Sequence, residues 1–168
     1  MLRYPKLAER SFVVSSFGKT YHCTGWKVGY CIAPENLMVE FRKVHQFNVF
    51  SVNSVAQVAF AEVMKKKELY EELSAFYAGK RDFFRTAIQS SPFKLLPCEG
   101  TYFQLASYTR ISDERDTDFV KRITREAGVA AIPVSVFYRH HIDNSIIRFC
   151  FAKEEETLKR AAERLVRI

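Results

Sequence analysis

The central stretch of this sequence is Ser11-Phe12-Val13-Val14-Ser15-Ser16-Phe17-Gly18-Lys19-Thr20, followed at a short distance by Val28-Gly29-Tyr30-Cys31-Ile32-Ala33. Apolar and β-branched residues on either side of the intervening loop predict two buried strands. We expect Gly18 to adopt backbone angles that other residues resist, so that Lys19 is presented at the end of the first strand. A lysine held between two core strands loses hydration, which favours its neutral, nucleophilic amine. The stretch therefore predicts an amine suited to attack a carbonyl group.

Length and composition indicate a soluble globular protein. The 168 residues are 48% hydrophobic and 27% charged, which is enough to bury the core of one domain or slightly more. No apolar run reaches the roughly 20 residues that a membrane helix needs. The N-terminal Met1-Leu2-Arg3-Tyr4-Pro5-Lys6 lacks the apolar region of a signal peptide. The four cysteines have no C-x-x-C spacing, so we expect free thiols in a reducing cytoplasm.

The net charge of +7 raises the question of nucleic-acid binding. The basic residues, however, are spread along helical segments among glutamates. The densest cluster, Lys65-Lys66-Lys67, lies at the end of a predicted helix, where cations complement the helix dipole. No nucleic-acid motif accompanies the charge, and the four histidines lack metal-ligand spacing. We therefore expect neither a nucleic-acid partner nor a metal site.

The pattern of predicted elements changes near the middle of the chain. After the two strands, a helix opens at Pro34-Glu35, an interruption follows at 50–54, and a long amphipathic helix spans roughly 69–88. Beyond Ser91-Pro92, short strands alternate with helices, and Gly128 is a predicted helix C-cap. The predicted strands are 93–96, 101–105, 129–132 and 146–151, and the predicted helices are 116–126 and 154–166. A domain boundary between 70 and 90 follows, with the long helix as the bridge.

A known family is similar to the central stretch and to three later motifs. Residues 16–30 resemble the cofactor-lysine segment of the class I/II pyridoxal-phosphate aminotransferases, most of all the methionine and kynurenine aminotransferase branch. Several motifs in the family's order make a stronger signal than the lysine segment alone. The four segments are Ser16-Phe17-Gly18-Lys19-Thr20-Tyr21-His22-Cys23-Thr24-Gly25-Trp26-Lys27-Val28-Gly29-Tyr30, Phe50-Ser51-Val52-Asn53, Pro97-Cys98-Glu99-Gly100-Thr101-Tyr102-Phe103 and Arg148-Phe149-Cys150-Phe151-Ala152.

The resemblance implies a partial α/β fold of the pyridoxal-phosphate-dependent transferase type. Residues 1–70 would be the end of the large α/β domain, and 71–168 the small α+β C-terminal domain. Family members are more than twice as long. They place the phosphate-binding turn, the aromatic that stacks on the cofactor ring, and the Asn, Asp and Tyr that contact the cofactor before the lysine, where this sequence has only eighteen residues. We therefore expect the C-terminal part of an aminotransferase, either a cleaved piece or a truncated gene product.

The resemblance also implies roles around the cofactor. The amine of Lys19 would form the Schiff base with pyridoxal phosphate and move a proton between substrate and cofactor. The hydroxyl of Ser16 and the ammonium of Lys27 would hold the phosphate. Many relatives carry arginine in place of Lys27, so this contact would lack a bidentate fork. The alternatives are a strand-end lysine, a turn serine and a surface lysine. We expect Tyr21 and Trp26 to serve packing.

Arg148 is the predicted substrate-binding residue of the C-terminal half. It lies in the otherwise apolar strand Ile146-Ile147-Arg148-Phe149-Cys150-Phe151, and a buried arginine needs an anionic partner. The resemblance implies that Arg148 binds the substrate α-carboxylate through paired hydrogen bonds; the alternative is an internal salt bridge. Gly100 is expected in a turn, and the resemblance implies that its backbone approaches the substrate.

The interruption between the first two long helices carries three further candidates, Phe50, Ser51 and Asn53. In the family's homodimers the corresponding loop reaches the partner's active site, where Phe50 would line a pocket for an apolar or thioether side chain. The alternative is a simple helix connection in which Asn53 or Ser54 is the N-cap. The residues themselves leave both interpretations open.

The implied activity is transamination between an amino acid, with methionine or an aromatic one as candidates, and a 2-oxo acid. A carbon–sulfur β-lyase starts from the same cofactor linkage and is the rival within this chemistry. A non-catalytic fragment that pairs with a missing N-terminal piece is the rival from another class. Ser16-Phe17-Gly18-Lys19 also matches the S-x-x-K motif of penicillin-recognising serine enzymes, but their S-D-N and K-T-G motifs are absent, so we reject that function.

Overall fold

The computed structural model describes residues 1–168 and divides them into two units, Met1–Leu73 and Ser74–Ile168. The first unit contains α1 (Pro5–Ala8), β1 (Val13–Ser16), α2 (Phe17–Thr20), a 3-10 turn (Thr24–Trp26), β2 (Gly29–Ile32), α3 (Glu35–Asn48), α4 (Ser54–Val63) and α5 (Glu68–Glu71). The second contains α6 (Leu73–Ala87), β3 (Lys94–Leu95), β4 (Phe103–Ser107), α7 (Asp116–Glu126), β5 (Ile132–Pro133), a second 3-10 turn (Val134–Phe137), β6 (Ile146–Cys150) and α8 (Glu155–Leu165).

The two strands predicted around the lysine form an antiparallel ribbon, in register from Val13↔Ile32 to Ser16↔Gly29. Their predicted burial is wrong. Val14 is 73% exposed, and Ile32 is also exposed. Since the ribbon has only two strands, each has one open edge, and the small apolar cluster of this unit packs at the loop end of the ribbon.

The first unit buries few apolar side chains for its size. Its buried cluster consists of Val28, Ala56 and Phe60. In contrast, Phe47 is 88% exposed and Phe50 is 81% exposed, at the end of α3 and in the connection to α4. Exposed apolar patches of this kind mark surfaces that bind another protein surface or cause association.

Local sequence signals account for the helices of the first unit. Pro34 is the N-cap of α3, as its fixed φ favours. The side chain of Asn53 accepts a hydrogen bond of 3.0 Å from the amide of Ala56 and caps α4. The long helix predicted over roughly 69–88 is confirmed over Leu73–Ala87, but its first turn is a separate helix, α5. Glu72, with ψ near −13°, separates α5 from α6, because its ψ lies far from the −42° or so of a regular helix.

The second unit is built on a four-stranded antiparallel sheet in the order β3-β4-β6-β5. The register of the central pair runs from Phe103↔Cys150 to Ser107↔Ile146. Side chains alternate between the two faces with a period of two. In β6, Ile147 and Phe149 are therefore buried on one face, while Arg148 lies on the other, half buried.

Two amphipathic helices cover the apolar face of this sheet. α7 has the predicted bounds, and α8 is one residue shorter at each end than predicted. The ring of Phe119 in α7 stacks on Tyr108 with a centroid distance of 4.0 Å. Burial raises the pKa of Tyr108 to about 12, and its hydroxyl donates to the Glu114 carbonyl at 2.7 Å. The residues of this core that are less than 2% exposed include Ala106, Tyr108, Phe119, Ile123, Ile147, Phe151 and Leu165.

Three further sequence predictions have clear outcomes. Gly128 follows the last turn of α7 with φ of +65°, which confirms the predicted C-cap. All four cysteines are free, as their spacing indicated. No helix of the chain has both the length and the apolar character required to cross a membrane.

The exposed apolar surface of the first unit predicts association in solution. We expect the chain at about 10 μM to elute above its 19.5 kDa mass in size-exclusion chromatography with light scattering. Replacing Phe47 and Phe50 by serine should reduce the associated fraction. Phe76→Ser, at an exposed phenylalanine of the second unit, is the matched control. A monodisperse wild-type monomer that unfolds cooperatively would contradict this prediction.

Candidate functional site

The lysine lies on a single helical turn that follows β1 without a linker. α2 begins at Phe17, whose amide donates to the Val28 carbonyl at 3.1 Å. The hydroxyl of Thr24 donates to the Gly18 carbonyl at 3.4 Å. These two hydrogen bonds return the loop toward α2, so Lys19 is presented at the end of the ribbon, as predicted.

Gly18 and Gly29 are required by close approach and not by unusual backbone angles. The expectation for Gly18 is wrong, because its φ is not positive. A Cβ atom at Gly18 would lie 3.0 Å from the carbonyl oxygen of Cys23. A Cβ atom at Gly29 would lie 2.6 Å from the carbonyl oxygen of Ser15. Since these neighbours are backbone atoms, they cannot move aside as a side chain can.

Ser16, Lys19 and Lys27 lie at the same end of the ribbon. Ser16 pairs with Gly29, two residues after Lys27. Lys27 ends the 3-10 turn in the left-handed conformation, with φ of 54°. All three residues are exposed, and their side chains make no hydrogen bond or ion pair within the chain. The expectation that two core strands desolvate Lys19 is therefore wrong for this chain.

The chemistry of these three side chains fits pyridoxal phosphate. A primary amine is the group that condenses with an aldehyde. An ammonium and a hydroxyl are a charge and a hydrogen-bond donor for a phosphate. Because all three side chains are exposed and unengaged, nothing in the chain competes for them.

An aromatic cluster packs against the loop that follows Lys19, and Phe60 of α4 is at the centre of this cluster. The ring centroid of Phe60 lies 5.0 Å from that of Phe17, 5.3 Å from that of Trp26 and 5.9 Å from that of Tyr21. Tyr21 and Trp26 therefore pack, as expected. Sequence reasoning missed Phe60, although its position on the apolar side of a helix was a signal for burial.

The connection between α3 and α4 has the features of a capped helix start. Asn53 uses its side chain as the N-cap. Phe50 adopts a left-handed φ of 62° and is exposed, and so is Ser51. The structure therefore supports the helix-cap interpretation for Asn53, and it leaves Phe50 81% exposed.

Arg148 lies between two aromatic rings on the face of the sheet opposite the core. Its guanidinium carbon is 3.9 Å from the ring centroid of Phe103 and 4.9 Å from that of Phe137. Its Nε atom is buried and has no hydrogen-bond partner. No carboxylate of the chain forms an ion pair with it, so the internal salt bridge is excluded. A buried donor without an acceptor is costly, which makes this guanidinium ready to bind an external anion.

Gly100 lies in the bend before β4, where a Cβ atom would meet nothing within 4 Å. The left-handed residue of this bend is Thr101, with φ of 70°, and not the glycine. The carbonyl of Gly100 accepts a weak hydrogen bond of 3.6 Å from the thiol of Cys98. The bend at Gly100 is as predicted, but the residue that adopts the left-handed conformation is Thr101.

The lysine turn after a strand and the arginine-bearing antiparallel sheet are the features expected from the sequence for the pyridoxal-phosphate-dependent transferase type, and the structural similarity described below supports that fold class. The chain belongs to the aminotransferase class I and II family, whose sequence profile matches residues 3–165. The family inferred from the motifs is thereby confirmed, and the relatives described next confirm the branch.

Curated relatives and solved structures agree on this family. Methionine aminotransferase of Escherichia coli (strain K12) is 52% identical over 98% of this chain. Kynurenine–oxoglutarate transaminase 1 of Homo sapiens is 33% identical over 96% of it. A crystal structure that identified a methionine aminotransferase function in Escherichia coli superposes with a TM-score of 0.95 and 51% identity over 99% of this chain.

The match covers only part of each relative. This chain spans 43% of the length of both curated relatives and 44% of the solved chain. The expectation of a partial fold is therefore confirmed. The four segments that carried the resemblance all lie inside the matched range.

The close approach at Gly29 predicts a specific effect of substitution. Gly29→Ala should destabilise the first unit by about 1–3 kcal/mol, because the new Cβ atom collides with a backbone oxygen. Gly25→Ala is the matched control, since a Cβ atom there meets nothing within 4 Å. The fluorescence of Trp26, the only tryptophan, reports urea unfolding of this loop. Equal midpoints for the two variants would contradict the steric argument.

Proposed function

We propose that this chain is the C-terminal part of a pyridoxal-phosphate-dependent aminotransferase that moves an amino group between an amino acid and a 2-oxo acid. The observation that carries the proposal is Arg148, held between two aromatic rings with a buried, unpaired Nε. The 52% identity to a methionine aminotransferase favours methionine, and the similarity to a kynurenine transaminase favours an aromatic amino acid. Residues 1–70 would end the large domain, and 71–168 would form the small one.

Lys19 is the proposed catalytic residue. Bound pyridoxal phosphate supplies an electron sink that stabilises negative charge on the substrate α-carbon. The amine of Lys19 would be the group that condenses with the cofactor aldehyde, with loss of water, and once displaced by the substrate amine it would hold and return the proton of the substrate α-carbon. Its exposed position on a short, anchored turn leaves the amine free to alternate between these two tasks.

Ser16 and Lys27 are the proposed phosphate ligands. The hydroxyl of Ser16 donates a hydrogen bond to a phosphate oxygen, and the ammonium of Lys27 supplies a point charge. The register of the ribbon keeps both residues at the end that bears Lys19. Lysine lacks the planar fork of arginine, so it holds the phosphate by charge rather than by bidentate geometry.

Arg148 is the proposed ligand of the substrate carboxylate. A guanidinium can donate two parallel hydrogen bonds to a carboxylate. The rings of Phe103 and Phe137 both contact the guanidinium and so limit its rotation. Loss of hydration strengthens the ion pair because the local dielectric is low. This residue would therefore select amino acids and 2-oxo acids over amines and ketones.

Gly100, Phe50, Ser51 and Asn53 are the proposed remaining substrate contacts. The backbone near Gly100 would approach the substrate, and no atom crowds that position. The exposed ring of Phe50 would line the side-chain pocket of the partner subunit in a cytoplasmic homodimer. An apolar ring in this position suits a thioether or aromatic substrate.

One observation favours a second candidate, a non-catalytic fragment. The chain spans 43% of its curated relatives, and its first unit leaves large apolar side chains exposed. Such a piece would require the remaining part of the enzyme to complete the cofactor site. Cofactor binding separates the two candidates.

Binding of pyridoxal phosphate is the first test. With added cofactor, we expect an absorbance band of the lysine-bound form and, after borohydride reduction, one cofactor mass located at Lys19. Lys19→Ala should abolish both signals, whereas Lys159→Ala, at an exposed lysine of α8, should retain them. Lys27→Ala should raise the cofactor dissociation constant about tenfold, because a charge-assisted contact is lost. Labelling spread over several lysines would support the fragment instead.

Carboxylate binding by Arg148 is the second test. In isothermal titration the chain should bind 4-methylsulfanyl-2-oxobutanoate and not 4-methylsulfanylbutan-2-one, which lacks the carboxylate. Arg148→Lys should weaken binding about tenfold, because the fork and the stacking are lost, and Arg148→Gln should abolish it. Arg110→Gln, at an exposed arginine, is the control. Equal affinity for the acid and the ketone would overturn the assignment.

A further inference from the structure

The segment between β5 and β6 is fixed at its start by a buried carboxylate. Both oxygens of Asp116, the first residue of α7, accept hydrogen bonds of 2.7 Å from Ser135, one from the amide and one from the hydroxyl. Asp116 and Ser135 are each at most 2% exposed. This pair is isolated from water, and neither residue belongs to the proposed carboxylate or cofactor site.

The end of the same segment is fixed through the same residue. The amide of Asp116 donates to the carboxylate of Asp143 at 2.7 Å. The other oxygen of Asp143 accepts from the amide of Ser145 at 2.7 Å, and the Ser145 carbonyl accepts from the Tyr108 amide at 3.1 Å. One residue at the start of α7 therefore ties down both ends of residues 135–145.

This segment carries one of the two rings that enclose Arg148. Phe137 follows Ser135 by two residues in the second 3-10 turn. The chain enters this segment directly after β5, in which Ile132 pairs with Arg148 and Pro133 with Ile147. Phe137 is itself 60% exposed, so little apolar packing fixes its ring. Its place over the guanidinium depends on the backbone that Ser135 holds.

We propose that Asp116 is a positioning residue for the anion site: its hydrogen bonds to Ser135 and Asp143 hold the 3-10 turn so that Phe137 covers Arg148. Asp116 acts through Ser135 and Phe137 and does not touch the anion. The consequence for carboxylate affinity rests on the proposed function of Arg148, whereas the geometric claim does not.

The chemistry explains why a carboxylate stands at position 116. An ionised carboxylate accepts from both donors of Ser135, the amide and the hydroxyl. Asparagine offers one oxygen for the amide, and its NH2 group meets the hydroxyl oxygen after the hydroxyl rotates. Alanine offers nothing and leaves two buried donors unpaired. The fraction of molecules in which Phe137 lies over Arg148 should therefore be highest in the wild type, lower in Asp116→Asn and lowest in Asp116→Ala.

NMR of the Arg148 Nε–H group in the nitrogen-15-labelled chain tests the geometry without any ligand. The rings of Phe103 and Phe137 should displace this resonance upfield through their ring currents. Phe137→Ala removes one ring and calibrates its contribution. Asp116→Ala should lose the same contribution, and Asp116→Asn should regain part of it. Asp118→Ala, at an exposed aspartate of α7 that pairs with Lys121, should leave the resonance unchanged.

Ser135→Ala covers the case in which Asp116→Ala does not fold. It removes one hydrogen bond, keeps the amide donor, and should shift the resonance part of the way toward that of Phe137→Ala. The proposal is overturned if folded Asp116→Asn and Ser135→Ala both keep the wild-type resonance. It is equally overturned if the Asp118→Ala control moves it as much as they do.

A titration with 4-methylsulfanyl-2-oxobutanoate separates this proposal from the proposed function. If Arg148 binds the acid, Asp116→Asn should raise the dissociation constant about threefold, since a misplaced ring weakens cation–π contact and admits water. If the wild-type chain does not bind the acid while the resonance shifts as expected, the function of Arg148 fails and the positioning role stands. If Asp116→Asn shifts the Arg148 resonance but binds the acid as tightly as the wild type, Asp116 positions Phe137 without affecting binding, and the proposed effect on affinity is overturned.

Discussion

The alternation of side chains along β6 is the constraint on which the candidate site depends. Ile147 and Phe149 point into the core, and this burial forces Arg148 onto the opposite face. A slip of one residue would place a guanidinium in the core and two apolar side chains outside. The hydrophobic energy of the core therefore also fixes the direction of the charge, and the aromatic rings around Arg148 only refine a position that packing has already determined.

Sequence patterns predicted the features that depend on near neighbours. The bounds of α7 and the C-cap at Gly128 followed from periodicity and turn residues. The motifs around Lys19 and Arg148 identified the family, because each is a contiguous run. Contacts between distant residues could not be predicted. The helical pattern could have indicated that Phe60 is buried, but not that it packs against the lysine loop. No local signal predicts that Phe137 contacts Arg148 or that Asp116 accepts hydrogen bonds from Ser135. Burial of β1 and β2 was also mispredicted, because an apolar, β-branched pattern predicts a strand but does not tell whether other elements cover its two faces.

The two units differ in how much of their apolar surface each one buries. The second unit has a continuous core that includes Phe84, Phe119 and Phe151. The first has a small aromatic cluster around Phe60 and two strands with open edges. Stability should therefore be concentrated in the second unit, where burial is greatest. The residues proposed to bind the cofactor lie on the less stable one, so occupancy of that site is coupled to order in the first unit.

The left-handed backbone of Lys27 limits how far the proposed phosphate site can be stabilised by substitution. A residue with a side chain costs roughly 1 kcal/mol or more in this region, a penalty that glycine avoids. Glycine at this position would relieve the strain, but it would also remove the positive charge of the residue that directly follows the 3-10 turn. Selection for thermal stability and selection for the proposed phosphate contact would therefore act in opposite directions on this residue. A thermostable variant that keeps the charge must gain its stability elsewhere in the ribbon.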